Sequence, residues 1–562
     1  MLKQHPKGLF VAFFANMGER FGFYTMIAIF VLFLQAKYGY TAAQAGQIYG
    51  TFLAFVYFLP LLGGIIADKF LGYGKTISIG LIVMFIGYFL LAIPTTMNSG
   101  FGLVITALAV ICLGTGLFKG NLQALVGNLY DNPKYSKNRD VAFNIFYMGI
   151  NIGAMFAPTT AEAVNNWILK THNFFYDNRI PALAHKYMDG TLNNISEYLS
   201  IAQAQDSAVT TQTLGTFTTD YINALSQSYH YGFGVACISL IVSMIIFWGF
   251  RKYYKSADLT EKQKAASEEH KDQVIELTPK QTKERLIALG LIFFVVIFFW
   301  MSFHQNGLCM TFFARDYTVN HVGKVTNLFF NLNGLLPIFL SIVGLYFFFR
   351  KKSKGKIRLL GAIAFLGFAL LAYWSYTTYD TENRITPQIF QHFNPFFIVA
   401  LTPLIVGLFV WLAKKGKEPS SPKKIGIGMF ITAIGFVVLV VGSLSLLGVS
   451  PEEIGGEVAP TDRLISPYWL ISTYFVLTVA ELFLSPMGIS FVSKVSPPKY
   501  KGLMQGGWLA ATGVANYLLF IPALLWERIP LWVVWFVLVV ACLLSAIFVF
   551  SILKRLERAT TT

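Results

Sequence analysis

The chain has 562 residues, of which 55% are hydrophobic, 16% aromatic and only 13% charged. That balance excludes a string of soluble domains and leaves a polytopic protein of the lipid bilayer. The net charge of +16 does not indicate nucleic acid, because lysines and arginines gather in short loops that recur on alternate sides of the apolar stretches.

Apolar stretches of spanning length are predicted near 8–34, 44–66, 75–94, 101–123, 141–164, 231–250, 285–313, 325–349, 357–376, 393–413, 425–447, 467–492, 503–525 and 530–553, about fourteen transmembrane helices. The first lacks a small-residue cleavage site and reads as a helix rather than a signal peptide. Counted from a cytoplasmic amino terminus, every basic loop falls inside and the acidic loop around Glu452 and Glu453 falls outside. The positive-inside rule then gives a multi-pass inner-membrane protein with both termini cytoplasmic. Residues 165–230 read as a long polar stretch on the outer face, with little apolar periodicity and a weak sequon at Asn194. Residues 251–284 read as a charged, partly helical cytoplasmic linker. They separate an amino-terminal bundle of six helices (1–250) from a carboxy-terminal portion (285–562) that includes an extra helix pair near 325–376. Two six-helix bundles joined by a linker suit a transporter built from related halves. The four cysteines sit in or beside apolar stretches and argue against a disulfide framework.

Charges inside these stretches carry the functional reading. A charged residue at mid-helix costs about 2.5–3.5 kcal/mol on insertion scales, so it needs a reason to be there. The first stretch holds Glu19 and Arg20, and Asn16, Glu19, Arg20, Phe23 and Tyr24 follow helical spacing along one face. The second carries Tyr57 ahead of Pro60, and the fourth carries Lys119 among glycines. Lys119 either faces a cavity or snorkels to an interface. Asn151 lies on the fifth stretch, Trp300 and His304 on the seventh, and Asn394 opens the tenth. Glu481 and Ser485 stand one turn apart on the twelfth, and Trp508 is on the thirteenth. His304 is open to two readings, a packing residue or a proton carrier. Together Glu19, Arg20, Lys119 and Glu481 amount to about 10–14 kcal/mol before pairing, which a polar cavity at mid-membrane would offset. Such a cavity suits a small zwitterion, with Arg20 and Lys119 for a carboxylate, and Glu481 with Asn151 and Asn394 for an ammonium.

In order along the chain, these segments resemble the proton-dependent oligopeptide transporter (POT/PTR) family of the major facilitator superfamily. The first helix is similar to that family's E-x-x-E-R-F-x-Y-Y motif, the second to G-G-x-x-x-D, and the fifth to F-x-x-x-x-x-x-I-N-x-G-A. The Lys119 helix, Gln391-x-x-Asn-Pro395, Glu481-x-x-x-Ser-Pro-x-Gly488 and Met504-x-x-x-Trp508 follow in the family's order. The resemblance implies an all-α major-facilitator fold with two extra helices, and proton-driven uptake of di- and tripeptides by alternating access. By position it implies that Arg20 and Lys119 receive the peptide carboxyl end, and that Glu481, Asn151 and Asn394 receive the amino end. Tyr24, Tyr57, Trp300 and Trp508 would line side-chain pockets. The resemblance implies that Glu19 belongs to the proton-coupling apparatus; in a rewired proton site Glu481 and His304 are further candidate proton carriers, with no cofactor beyond the proton and a monomer expected as the working unit. Three features depart from the pattern: Asn16 replaces the first glutamate, Phe23 the first tyrosine, and His304 the acidic residue usual in the seventh helix. The extra pair also follows the seventh helix instead of preceding it. The alternatives are a facilitator or exporter of another small zwitterion or organic acid, and a membrane sensor that binds peptide without moving it. An enzyme is disfavoured, because the membrane polar residues form no nucleophile–base pair, metal cluster or phosphate loop.

Overall fold

The structure is a computed structural model, and it describes residues 5–132, 134–258, 277–350, 353–454, 457–497 and 500–561. It contains fourteen helices long and apolar enough to cross a membrane, from Lys7–Tyr38 to Leu531–Ser551; they are called spans 1–14 here. The even count puts the two ends of the described chain on one face, the terminal face, with the opposite face beyond.

Within residues up to 250, span 1 packs on spans 5 and 6, and span 3 packs on spans 4 and 6. In the later portion, span 11 (Ser421–Leu444) packs on spans 12 and 14. The two portions meet where span 2 lies along span 13 and where span 5 meets span 10. Span 1 is the most enclosed of all: its uncharged middle, Met26–Leu34, is buried throughout. A helix buried on all sides shows no apolar stripe, so its polar residues must face protein. Spans 8 (Leu332–Phe349) and 9 (Gly355–Thr378) form the extra pair. They pack chiefly on each other, and span 9 buries only Gly361 and Ser375, which leaves its apolar surface to the bilayer. A small cluster of Met155, Leu332, Leu335 and Phe396 ties the pair to spans 5 and 10.

Spans 2, 7 and 13 break, the last at Leu518–Leu519. Span 2 (Ala42–Leu71) is interrupted at Leu59, where Pro60 starts a new helical segment. The Asn121 amide bridges this region to span 4 by donating to the Gly63 carbonyl at 3.0 Å. Span 7 (Pro279–Asp316) relaxes to a tighter turn over His304–Gly307. There Gln305 Nε2 donates to the Leu519 carbonyl at 3.1 Å and the Tyr474 hydroxyl donates to the Asn306 carbonyl at 3.1 Å. Such substitutes are required at membrane depth, where water is not present to satisfy a freed backbone group.

The stretch 165–230 departs from the sequence expectation. It holds two short helices, Ile180–Met188 and Ile195–Gln205, and span 6 begins at Leu214 rather than near 231. A small aromatic core explains the difference: Tyr187 and Tyr198 lie 5.7 Å apart, and Phe174 meets Phe217 at 5.8 Å. Helices this short show too few turns for a periodic signal. The sequon residue Asn194 caps the second helix by accepting from the Glu197 amide. Of the linker expected over 251–284, short turns at Arg251–Tyr253 and Lys255–Ala257 and the start of span 7 are described, while residues 259–276 lie outside the described residues.

This cap, with the end of span 1, is bonded to the later portion on the opposite face. Asn178 Nδ2 donates to the Arg315 carbonyl at 2.5 Å, and Asn320 Nδ2 donates to Asn178 Oδ1 at 3.2 Å. Lys186 pairs with Glu457 at 2.5 Å, and Arg315 donates to Gln35 Oε1 at 2.6 Å. Arg384 donates to the Tyr176 carbonyl and stacks on Phe175 at 4.5 Å, while Thr386 donates to Glu162 at 2.7 Å.

Candidate functional site

Glu19 is fully buried and Arg20 is 4% exposed. Adjacent residues on a helix do not normally face each other, yet here the two long side chains curl into a fork. Arg20 Nε donates to one Glu19 oxygen and Nη2 to the other, both at 2.5 Å. The guanidinium also stacks over Phe23 at 4.7 Å. Asn16, one turn earlier, is buried with Nδ2 unpartnered.

Lys119 stays within the bundle. Its Nζ lies 3.4 Å from the centre of the Tyr57 ring, a cation–π contact that supplies part of what a counter-ion would. Among the described residues it has no carboxylate partner. Tyr57 faces the His304 imidazole at 6.1 Å, and the imidazole stacks on Trp300 at 4.9 Å. His304 Nδ1 lies 2.5 Å from Asn516 Oδ1, and Trp300 Nε1 is buried without a partner.

In the later portion, Asn394 Nδ2 donates to Glu481 Oε2 and to the Thr478 hydroxyl, both at 3.0 Å. Glu481 thus has an amide partner and, among the described residues, no cation. Ser485 is half-buried one turn on, ahead of Pro486. Trp508 packs against Gly488, where any side chain would collide with the indole. The two portions meet electrostatically: the charges of Arg20, Glu19 and Glu481 all act on Tyr24, and those of Arg20 and Glu481 act on Tyr57.

The structure therefore joins Glu19 with Arg20, Lys119 with Tyr57, Tyr57 and Trp300 with His304, and Asn394 with Glu481. Asn151 stands apart from the last pair in its bonding, since its amide donates to the Tyr147 carbonyl of its own helix at 3.1 Å. Three neighbours went unassigned from sequence: Asn516, Thr478 and Gln391, whose amide reaches the Ala28 carbonyl at 3.3 Å and Thr311 at 3.2 Å. The signal that marked Glu19, a polar group in an apolar run, was available for Asn516 as well. Two cavities, of about 270 and 410 Å³, lie instead on the opposite face and share Asn166 and Arg384. Neither is lined by any of the candidate site residues, whose charges converge elsewhere.

The POT family model matches residues 74–270 and 379–530. The chain is 26% identical over 534 residues to dipeptide and tripeptide permease B of Salmonella typhimurium, covering 92% of this chain and 86% of that one. It is likewise 26% identical over 538 residues to a peptide transporter of Yersinia enterocolitica, covering 91% and 86%. Among solved structures, a peptide transporter POT in complex with sulfate superimposes with a TM-score of 0.64 at 22% identity, covering 99% of this chain and 96% of that one. A POT family transporter in complex with 5-aminolevulinic acid gives 0.65 at 17% identity, covering 98% and 97%. With more than half of its length matched by the family model, the chain belongs to the POT family.

Proposed function

We propose that this chain imports di- and tripeptides across the bacterial inner membrane by alternating access, coupled to protons, with the terminal face in the cytoplasm. The names of its relatives support the substrate class, and the basic loops on the terminal face support the orientation. The observation that carries the reading is a separation of charge across the site. Lys119 presents a cation with no carboxylate of its own, while Glu481 presents a carboxylate held only by neutral donors. A zwitterion with its termini a few bonds apart complements both. Arg20 is a second carboxylate anchor once Glu19 releases it, and Glu19, Glu481 and His304 are the proton carriers. Tyr24, Tyr57, Trp300 and Trp508 shape the side-chain pockets, and Asn151 and Ser485 complete the polar lining. One chain holds the whole site, so a monomer suffices for transport.

The test is uptake of Ala-Ala into proteoliposomes under an inward proton gradient. Accumulation beyond the outside concentration, abolished by an uncoupler, is the expected result. A second reading, a facilitator of small zwitterions, is favoured by the loss of two family acids at Asn16 and His304. It predicts counterflow but no accumulation. If His304→Ala leaves both rate and pH dependence unchanged, the imidazole is packing and coupling rests on the two glutamates.

A further inference from the structure

His304 is held more firmly than a wall residue needs to be. It starts the tight turn that interrupts span 7, and Gln305 beside it is bonded to the Leu519 carbonyl of span 13. The imidazole itself stacks on Trp300 at 4.9 Å, and its Nδ1 meets Asn516 Oδ1, again on span 13, at 2.5 Å. Asn516 is fully buried, and its Nδ2 has no partner. An amide oxygen only accepts, so Nδ1 carries the hydrogen and the lone pair resides on Nε2. The ionisable groups that face the ring are Tyr57 from span 2 and Lys119 from span 4. Neither bonds Nε2. Lys119 Nζ sits against the Tyr57 ring, so a cationic donor and a neutral acceptor flank one aromatic surface.

This juxtaposition fits one feature of a peptide. The Cα that bears the terminal carboxylate also bears the nitrogen of the last peptide bond, so the carboxylate and that N–H lie side by side. We propose that Asn516 is a positioning residue for substrate selection: it fixes His304 so that Nε2 accepts the N–H of the last peptide bond while Lys119 takes the carboxylate. The inference rests on the peptide reading above, with His304 neutral and the proton on Glu19 or Glu481 while peptide is bound, and adds to it a requirement for a true amide. An ester in the same place offers a lone pair against a lone pair.

The probes are Ala-Ala and alanyl-lactate, the depsipeptide in which an ester oxygen replaces the N–H. Their affinities for the purified full-length protein are compared by titration calorimetry. The wild type is expected to prefer Ala-Ala by roughly tenfold, the upper range of one net hydrogen bond. Asn516→Leu reduces that ratio to below about threefold, and Asn516→Asp, which still accepts from Nδ1, retains most of it. A wild type that binds both probes equally overturns the inference and leaves the peptide reading intact. So does an Asn516→Leu protein that keeps the full ratio. A wild type that binds neither overturns both. Should Asn516→Leu fail to fold, the nitrogen-15 spectrum of histidine-labelled wild type, by difference from His304→Gln, decides the matter. A pyrrole-type Nδ1 is expected, and a pyrrole-type Nε2 overturns the inference.

Discussion

Replacing Glu19 by glutamine removes a charge while keeping the shape of the fork. The wild-type carboxylate accepts two hydrogen bonds of 2.5 Å from a guanidinium that is 4% exposed. Glutamine accepts one of them and turns an amino group toward the other donor. One charge-assisted bond, of about 1.5–3 kcal/mol, is lost outright, and Arg20 is left without its counter-ion. Breaking a buried pair from one side costs about 3–5 kcal/mol; with one bond retained and the Phe23 contact intact, about 3 kcal/mol is the appropriate figure. At the globular-protein average of about 2.1 cal/mol/K per residue, the unfolding entropy of 562 residues makes this a drop of about 2–3 °C in Tm. The assay is thermal unfolding in detergent, followed by the fluorescence of the 10 tryptophans. Glu19→Gln combined with Arg20→Gln removes both charges and should recover most of the loss. The liberated guanidinium should also bind Ala-Ala more tightly in the single variant. If single and double variants lose the same Tm, Arg20 does not depend on Glu19 as its counter-ion.

Three further perturbations address other parts of the molecule. Asn178→Ala removes the bond to the Arg315 carbonyl and takes the acceptor from Asn320 Nδ2, weakening the contacts across the opposite face by about 1–3 kcal/mol; a cysteine placed at the buried Ile389 should then react with an impermeant maleimide at least about fivefold faster, and an unchanged rate would show that the cap does not hold that face shut. Burial pushes the Asp177 carboxyl up, but the Arg179 hydrogen bond and charge outweigh it and hold the carboxyl below its ordinary value. Its stabilisation is therefore complete above about pH 4 and is lost as pH falls further through the folded value, so Asp177→Asn should lower Tm near neutrality, flatten its acid limb and converge on the wild type in acid. Finally, a Cβ at Gly63 would land on the Gly116 carbonyl, whereas one at Gly64 meets nothing within 4 Å. Gly63→Ala should cost about 1–3 kcal/mol, read as Tm, and Gly64→Ala almost nothing.

Much of the fold was legible because the bilayer is a severe solvent. A run of about twenty apolar residues has one outcome there, and the fourteen spans among the described residues overlap the stretches that hydropathy marks, though span 6 starts at Leu214, well before its apolar run. The site was legible for a related reason: an isolated charge such as Lys119 is too costly to face lipid. Partners were less legible. Arg20 bonds the residue beside it in sequence, which helical spacing argues against, and only long side chains folding back on themselves make it possible. Asn516 escaped notice because an uncharged amide in an apolar run is cheap enough to need no explanation, and its meaning comes from the imidazole opposite it. The cap over 165–230 was read as irregular because its order comes from a few aromatic contacts between distant residues, such as Phe174 with Phe217, and not from any local period.

The bonds across the opposite face also set an energy scale. The link from Asn178 joins neutral groups and is worth about 0.5–1.5 kcal/mol net, while those from Arg315, Arg384 and Thr386 each involve a charged group and are worth about 1.5–3 kcal/mol; in the alternating-access cycle proposed above they would be surrendered together. One elementary charge moving through 100 mV releases about 2.3 kcal/mol, the equivalent of about one charged link. Under that proposal the seal outweighs what a single charge crossing the field supplies, so opening would draw on several charges or on the binding of substrate.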